Sequence, residues 1–351
     1  MRTPDFRMRV GFAAAAMAVT LIACTDVNPA GPQGPEADIE PRMLINGEDD
    51  FGHLGTAAIM TYDPSRPVPD RWRSFCSGAL VHKRVVQTAG HCIQFLQADL
   101  EAGRTTAAWV SFQHHPHAHF NGDPTVDDPA LAGWYEIASL RSNPDNPDWI
   151  ALRQAPPEEV LEVWGRFHDS GAIVLNKAVR DIRPMTMAAR PGRVAQLLEK
   201  ERCGADNANR DRDRDRDRDR GGHGCRLLIV SYGLREFPPT TVPALQARHS
   251  GLVRYKGLDR LFISTFDDPP GSEFGANCFG DSGAPLILLK PNGKDRTIVA
   301  ISSSPAHPFG APCATGALQY RVDTESHVRF INGVIRSVED DDRDRRSDRG
   351  R

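Results

Sequence analysis

The sequence predicts a loop-rich, all-β protein with one convincing helix near its C-terminus. Short apolar runs of Val, Ile, Leu and Phe alternate with turn-rich stretches over residues 44–337, a pattern typical of strands. The 27 prolines and 30 glycines favour a β protein over a helical bundle. A chain of 351 residues can hold a two-lobed unit of this kind.

Two kinds of apolar pattern define the predicted elements. Val328, Ile331, Val334 and Ile335 would share one face of a C-terminal helix that begins after Asp323-Thr324. Continuous apolar runs predict the strands, at residues 57–61, 78–81, 85–88, 107–112, 172–175, 227–232, 261–264, 285–289 and 298–302.

The composition is that of a globular protein, with 40% apolar and 25% charged residues. The formal net charge of −3 provides no broad attraction to nucleic acid. We therefore expect no nucleic-acid partner, and no feature of the chain suggests anything other than a monomer.

Residues 1–23 indicate an export signal. Arg2, Arg7 and Arg9 precede an apolar run, 10–23, that is too short for a comfortable membrane span. The run ends in Leu21-Ile22-Ala23-Cys24, which resembles a bacterial lipobox, where the signal is cut before a cysteine that becomes lipidated. An ordinary signal peptide cut nearby is the alternative. Both predict an exported protein, either anchored as a lipoprotein or secreted after processing.

Composition divides the rest of the chain. Residues 24–43 are rich in Pro and Gly and indicate a tether or propeptide before a folded domain at 44–337. Within the domain, residues 99–166 form an unusually long connection with a short helix near 156–163. Residues 210–220 alternate strictly between Arg and Asp, which predicts a solvated loop, and residues 338–351 predict a disordered tail.

The segment Gly280-Asp281-Ser282-Gly283 has the composition of a tight turn that presents a serine hydroxyl. Glycines on both sides let backbone N–H groups converge on one point, as the oxyanion formed in acyl transfer requires. The N–H groups of Gly280 and Ser282 are the expected donors. The pattern alone is moderately specific, because a structural turn can have the same composition.

His91 follows an apolar strand and the small-residue turn Ala89-Gly90. Cys76 and Cys92 bracket the hairpin, and a disulfide between them would hold the imidazole in place, as a general base requires. His91 alone could be a surface histidine. Together with the serine motif it indicates nucleophilic catalysis.

These two segments resemble the histidine and serine motifs of trypsin-like, chymotrypsin-fold serine proteases, and they occur in that family's order. The resemblance covers most of residues 44–337 and is closest to small bacterial members. It implies two six-stranded antiparallel β-barrels with a C-terminal helix, and a serine endopeptidase that acts on proteins or peptides without a cofactor. Further similar segments are Leu44-Ile45-Asn46-Gly47, Val230-Ser231-Tyr232-Gly233 and Tyr320-Arg321-Val322-Asp323.

The resemblance calls for an aspartate that orients the histidine. Asp169 stands at the head of an apolar strand, as the family's aspartate does. Asp148 is the rival, but its apolar run is soon interrupted by Arg153 and Pro156. We predict the triad His91, Asp169 and Ser282.

Motif alignment with the family also places a substrate pocket. Ala276 occupies the position at which trypsins carry an aspartate, and Ala317 matches a pocket wall. Ser303, Ser304 and Pro305 match the strand that binds the substrate backbone. Because no carboxylate is available, we expect cleavage after a neutral residue, small or medium and apolar.

The resemblance also implies covalent and ionic pairs. Removing Cys24 leaves six of the seven cysteines, whose pairing the sequence alone leaves open. In the family, cleavage frees an α-amino group, here that of Leu44, which would pair with Asp281; a cut after Met43 departs from the trypsin-like preference for cutting after Arg42. The implied disulfides are Cys76–Cys92 and Cys278–Cys313, which leaves Cys203–Cys225 around the Arg-Asp run.

Two other interpretations compete with a protease. His114, His115, His117 and His119 could bind zinc or copper, but their spacing fits no standard site, and we expect no metal. A catalytically weak or inactive binding module on the same fold is the alternative from another class. Ala284, where glycine is usual, is a mild departure from the active-site motif.

Overall fold

Alternating apolar residues along the chain form thirteen strands in the computed structural model, which describes residues 48–68, 70–203, 225–233, 247–266, 277–290, 296–307 and 316–349. All strand pairs are antiparallel, as expected where short turns and hairpins connect neighbours. The first barrel closes in the order β2-β3-β4-β7-β6-β5. Its strands are β2 (Thr56–Tyr62), β3 (Trp72–His82), β4 (Val85–Thr88), β5 (Ala107–Ser111), β6 (Tyr135–Ser142) and β7 (Gly171–Leu175).

The second barrel has the order β9-β10-β13-β12-β11-β8 and closes through the pairing of β8 with β9. The short N-terminal strand β1 (Glu48–Asp49) adds to β9. The two six-stranded barrels implied by the resemblance are therefore present. The second is built from β8 (Arg226–Ser231), β9 (His249–Leu258), β10 (Phe262–Phe266), β11 (Pro285–Leu289), β12 (Arg296–Pro305) and β13 (Ala317–Arg321).

Each barrel encloses its own apolar core. Ile59, Val86 and Ile173 are among the buried residues of the first, and Ile263 and Val299 are among those of the second. Side chains of this size fill a six-stranded barrel, so neither barrel is a pore. Function must therefore lie outside the barrels, where loops from both meet.

Every predicted strand overlaps an observed one, and the apolar runs miss β1, β6, β9 and β13. β6 carries Glu136 and Arg141 among its residues, and β9 carries Arg254 and Lys256, so neither has a continuous apolar run. β6 also corrects the interpretation of residues 99–166 as one long connection, because part of that segment is a barrel strand.

The helices lie outside the barrels. The predicted helix near 156–163 is present as α4, whereas α1 was not predicted, because it follows β4 after the single residue Ala89. The set comprises α1 (Gly90–Glu101), α2 (Pro116–His119), α3 (Trp149–Gln154), α4 (Pro157–Val163), α5 (Arg193–Lys200) and α6 (Glu325–Arg349), with a 3₁₀ turn at Pro129–Ala132.

The C-terminal segment differs from its prediction. The sequence predicts disorder over 338–351, but α6 continues to Arg349. An apolar stripe that includes Ile331 and Val338 packs against Val85 and Val174 of the first barrel. Beyond the stripe, Arg84 pairs with Asp342, so one tertiary ion pair fastens a helix whose last turns are otherwise polar.

A buried arginine links the start of the described chain to both barrels. Arg248, 1% exposed, donates to the carbonyls of Asp50 and Phe112 at 3.1 and 3.0 Å and to the Tyr232 hydroxyl at 3.1 Å. Burial alone would raise the pKa of Asp50, but hydrogen bonds and the charge of His53, 2.6 Å away, outweigh burial and lower the pKa. The network holds residue 50 against both barrels.

The structure contains two of the predicted disulfides, Cys76–Cys92 and Cys203–Cys225. Cys278 is also disulfide-bonded, and its predicted partner Cys313 lies outside the described residues. Cys24 and the Arg-Asp run lie outside them too. Among the helices that the structure describes, none is both long and apolar enough to cross a membrane.

Candidate active site

The carboxylate of Asp169 is fully enclosed at the junction of the barrels. It is 0% exposed and accepts three hydrogen bonds. The His91 backbone N–H donates at 2.9 Å, the His91 Nδ1–H at 2.9 Å, and the Ser303 hydroxyl at 2.6 Å. These donors satisfy a charge that would otherwise be costly to bury.

His91 is presented by the first turn of α1. Because Nδ1 faces the Asp169 carboxylate, Nδ1 carries the proton in the neutral ring and Nε2 is left as the basic atom. Phe95 and Trp149 flank the imidazole, with ring centroids 6.0 and 5.6 Å away, and the residue is 9% exposed. The ring is thus held in one orientation with one nitrogen available.

Ser282 lies in a turn that packs against the start of α1. Gly283 has a φ of +82°, and a Cβ there would lie 2.1 Å from Thr88 Oγ1 and 3.0 Å from the Ala89 nitrogen, so only glycine fits. Both Ser282 and His91 are among the described residues, and Ser282 Oγ makes no hydrogen bond to His91 Nε2. Such bonds are often long in unliganded enzymes and tighten when substrate binds.

Ser77 ties this turn to the first barrel, a role that sequence reasoning missed. Its N–H donates to the Ser282 carbonyl at 2.8 Å, and its hydroxyl donates to the Gly280 carbonyl at 2.9 Å. The same hydroxyl accepts the Tyr232 N–H at 3.0 Å. Its position beside Cys76, in the motif that carries the disulfide, was the available signal.

The two N–H groups that the sequence predicts as oxyanion donors belong to this turn. Gly280 has a φ of +87°, and a Cβ there would lie 2.8 Å from the Gly233 Cα. This position of the Gly-Asp-Ser-Gly motif therefore also requires glycine. Within the residues described, the N–H groups of Gly280 and Ser282 donate to no protein acceptor. Two unused donors on a rigid turn are what a developing oxyanion needs.

The Asp281 side chain is buried on the side of the second barrel. It is 0% exposed; one carboxylate oxygen accepts the Cys278 N–H at 2.7 Å, and the other lies 3.8 Å from His249 Nε2. His249 Nδ1 donates to the Ala247 carbonyl at 3.0 Å, which orients the ring. Leu44, the predicted partner of Asp281, lies outside the described residues.

Ser170, the residue after Asp169, is hydrogen-bonded to the connection between β6 and β7. The Asn146 side chain accepts the Ser170 N–H at 3.0 Å and donates to its carbonyl at 2.9 Å. The Ser170 hydroxyl bonds to His327 Nδ1 at 2.9 Å, and burial lowers the pKa of His327 to about 3, so this imidazole is neutral. The backbone that presents Asp169 is therefore held from two sides.

Asp148, the rival to Asp169, caps a helix. Its carboxylate accepts the backbone N–H groups of Ile150 and Ala151 at 3.0 and 2.9 Å, at the N-terminus of α3. No contact with His91 is present. The two aspartates thus have separate roles in the structure.

The predicted pocket is described only in part. Ala276 lies outside the described residues, and Ala317 is buried opposite Pro305 across β12 and β13. Two neutral amides, which the sequence did not reveal, lie near Ala317: Gln319 is two residues farther along β13, and Asn277 is bonded to it. Asn277 donates to the Ser302 hydroxyl at 2.6 Å, and Gln319 donates to Asn277 at 2.9 Å.

The segment between β6 and β7 builds an aromatic wall along the site. Trp149 stacks edge-on to Phe167 at 4.8 Å, and Trp164 does so at 5.4 Å. Phe167 in turn meets Phe262 of the second barrel at 5.1 Å. The indole N–H of Trp164 donates to the Pro305 carbonyl at 3.3 Å.

One group with metal-ligating side chains occurs in the described chain, comprising Cys76, His91 and Cys92. Its two sulfurs form a disulfide, which leaves His91 as a single ligand. The His114 imidazole instead donates to the Asp50 carbonyl at 3.1 Å, beside the Arg248 network. This hydrogen bond attaches the histidine-rich segment to the chain near Asp50.

Neither a protein-family model nor a curated protein matches the chain. A solved structure of neuropsin, a serine protease expressed in the limbic system of mouse brain, is similar over 83% of this chain and 99% of that chain, with a TM-score of 0.48 and 16% identity. The two barrels have the arrangement of the chymotrypsin fold. That assignment depends on the strand pairing, and any function depends on the residues at the site.

We expect Asp169→Asn to lower kcat/KM by roughly 10⁴-fold, because an amide cannot hold the imidazole in the required tautomer. Asp148→Asn is the matched control, since asparagine is an equally good helix cap. The measurement is turnover of one peptide substrate by both purified variants. Full turnover by the Asp169 variant would contradict the assignment of the acid.

Proposed function

We propose that the protein is a serine endopeptidase with Ser282 as nucleophile, His91 as general base and acid, and Asp169 as the residue that orients His91. The observation that carries the proposal is the buried Asp169–His91 pair beside a serine turn with two unused N–H donors. An oriented imidazole and unused N–H donors beside a serine are the groups that acyl transfer requires, which supports the proposal.

The proposed reaction proceeds through an acyl-enzyme. His91 Nε2 takes the proton from Ser282 Oγ as that oxygen attacks the substrate carbonyl carbon. The resulting oxyanion accepts the N–H groups of Gly280 and Ser282. His91 then passes the proton to the departing amine, and the C–N bond breaks. Water then attacks the ester carbon while His91 Nε2 takes its proton, and His91 returns that proton to Ser282 Oγ as the C–O bond breaks and the acid is released.

We expect a fluorophosphonate probe to label Ser282 covalently and Ser282→Ala to escape labelling, with turnover falling by roughly 10⁶-fold. Mass spectrometry of the labelled peptide identifies the residue modified. A folded, correctly processed protein that takes up no label at Ser282 would favour a binding module on the same fold.

We propose a neutral P1 residue, the residue on the acyl side of the scissile bond. The amides of Asn277 and Gln319 support this proposal, because they introduce no charge beside Ala317. Profiling with a peptide library should show cleavage after small or medium apolar residues. A strong preference for arginine or lysine would refute it.

We also propose that the protein is exported and tethered through a lipid on Cys24. The disulfides support an oxidising location. The protein should fractionate with membranes and carry a lipidated N-terminal cysteine by mass spectrometry, and Cys24→Ala should abolish both. A native N-terminus at any other residue before 44, without lipid, would rule out the tether.

A further inference from the structure

Beyond Ser302, one edge of β12 has no neighbouring strand among the residues described. β11 pairs with β12 only as far as Ile301, and Ser302 uses its N–H and carbonyl to bond Ala284 and Gly283 of the serine turn. β13 covers the opposite edge along the same stretch. An extended peptide can therefore add to the free edge through main-chain hydrogen bonds.

Pro305 lies on this free edge, opposite the place where the third substrate residue on the acyl side of the scissile bond would lie. The bond from Ser303 to Asp169 places Ser303 beside the triad, and Pro305 is two residues, about 7 Å, farther along the strand. The Ala306 N–H donates to the Gly316 carbonyl on the β13 side, so the main-chain groups of Pro305 point to the free edge. With acyl-side residues numbered P1, P2 and P3 outward, P3 faces Pro305.

Pro305 is a poor partner for the bonds that the P3 main chain would make there. Its ring nitrogen carries no hydrogen, so it donates no hydrogen bond. Its carbonyl accepts the Trp164 indole N–H at 3.3 Å, which places the indole at the acceptor that a substrate N–H would use. An antiparallel neighbour normally exchanges two N–H···O bonds with the residue opposite, so a substrate strand finds no donor here and competes with Trp164 for the acceptor.

Aromatic packing holds Trp164 over the edge. Its ring lies against Phe167, which is buried between Trp149 and Phe262 of β10. The cluster joins the segment that carries Trp164 to the second barrel. A substrate that displaced Trp164 would lose this packing as well as break the hydrogen bond.

We propose that Trp164 is a specificity-determining residue that ends acyl-side recognition at P2. The inference rests on the proposed peptidase function and narrows its substrates to chains selected by P1, P2 and the leaving-group side. Residues from P3 outward then contribute little to kcat/KM.

Trp164→Phe tests the proposal, because phenylalanine keeps a ring against Phe167 but has no N–H to donate. The probes are acetylated peptide anilides with the same P1 residue, carrying two residues, three residues, or three with an N-methylated P3. The quantity measured is the ratio of kcat/KM between the three-residue and two-residue substrates within each enzyme.

In the wild type we expect this ratio to stay below about twofold, and N-methylation of P3 should not change it. In Trp164→Phe the freed Pro305 carbonyl should accept the P3 N–H, raising the ratio by about 3- to 10-fold. N-methylation of P3 should cancel that gain. A wild-type ratio near tenfold that N-methylation abolishes, or an unchanged ratio in the variant, would overturn the proposal.

Binding separates this proposal from the peptidase proposal. The same acyl-side peptides, as free acids, are titrated calorimetrically into Ser282→Ala and into Ser282→Ala combined with Trp164→Phe. The ratios of affinity should follow the same pattern without any turnover. Absence of turnover in the wild type would therefore count against the peptidase proposal alone, while the affinity ratios decide the role of Trp164.

Discussion

The carboxylate of Asp169 has no contact with solvent, and the site depends on the three donors that replace water around it. Two come from His91 at the start of α1, and the third comes from Ser303 in β12. These donors belong to different barrels, so a small displacement of one barrel against the other would leave a buried charge incompletely bonded. The requirement to satisfy one carboxylate thus sets how the two barrels meet.

Ser77 and Arg248 reinforce that junction without approaching a substrate. Ser77 bonds the serine turn to the first barrel through both its backbone and its hydroxyl. Arg248 joins Asp50, Phe112 and Tyr232. Both residues are buried and polar, and buried polar groups with every partner present favour one arrangement over near alternatives. The geometry of the candidate site is therefore supported by contacts at several points of the junction between the barrels.

The sequence predicted the barrel strands well where one or both faces are apolar. It singled out His91 and Ser282 because their chemistry demands flanking glycines or a bracketing disulfide, and their catalytic roles stay a prediction. It missed β6 and β9, whose charged residues interrupt the apolar pattern. It favoured Asp169 but kept Asp148 as a rival, since helix capping and hydrogen bonding to a histidine both place an aspartate before an apolar run. The contact between Trp164 and Pro305 could not be predicted, because the two residues are distant in the chain and only folding brings them together.

The disulfide Cys203–Cys225 joins the two residues that flank the segment containing the Arg-Asp run, at a Cα separation of 4.8 Å. Because the bridge fixes these two positions, the free-energy cost of closing the loop between them grows only slowly with its length, by about 0.6 kcal/mol for each doubling. A change in the length of this segment should therefore cost the folded protein little, while α5 and β8 on either side of the bridge keep their positions.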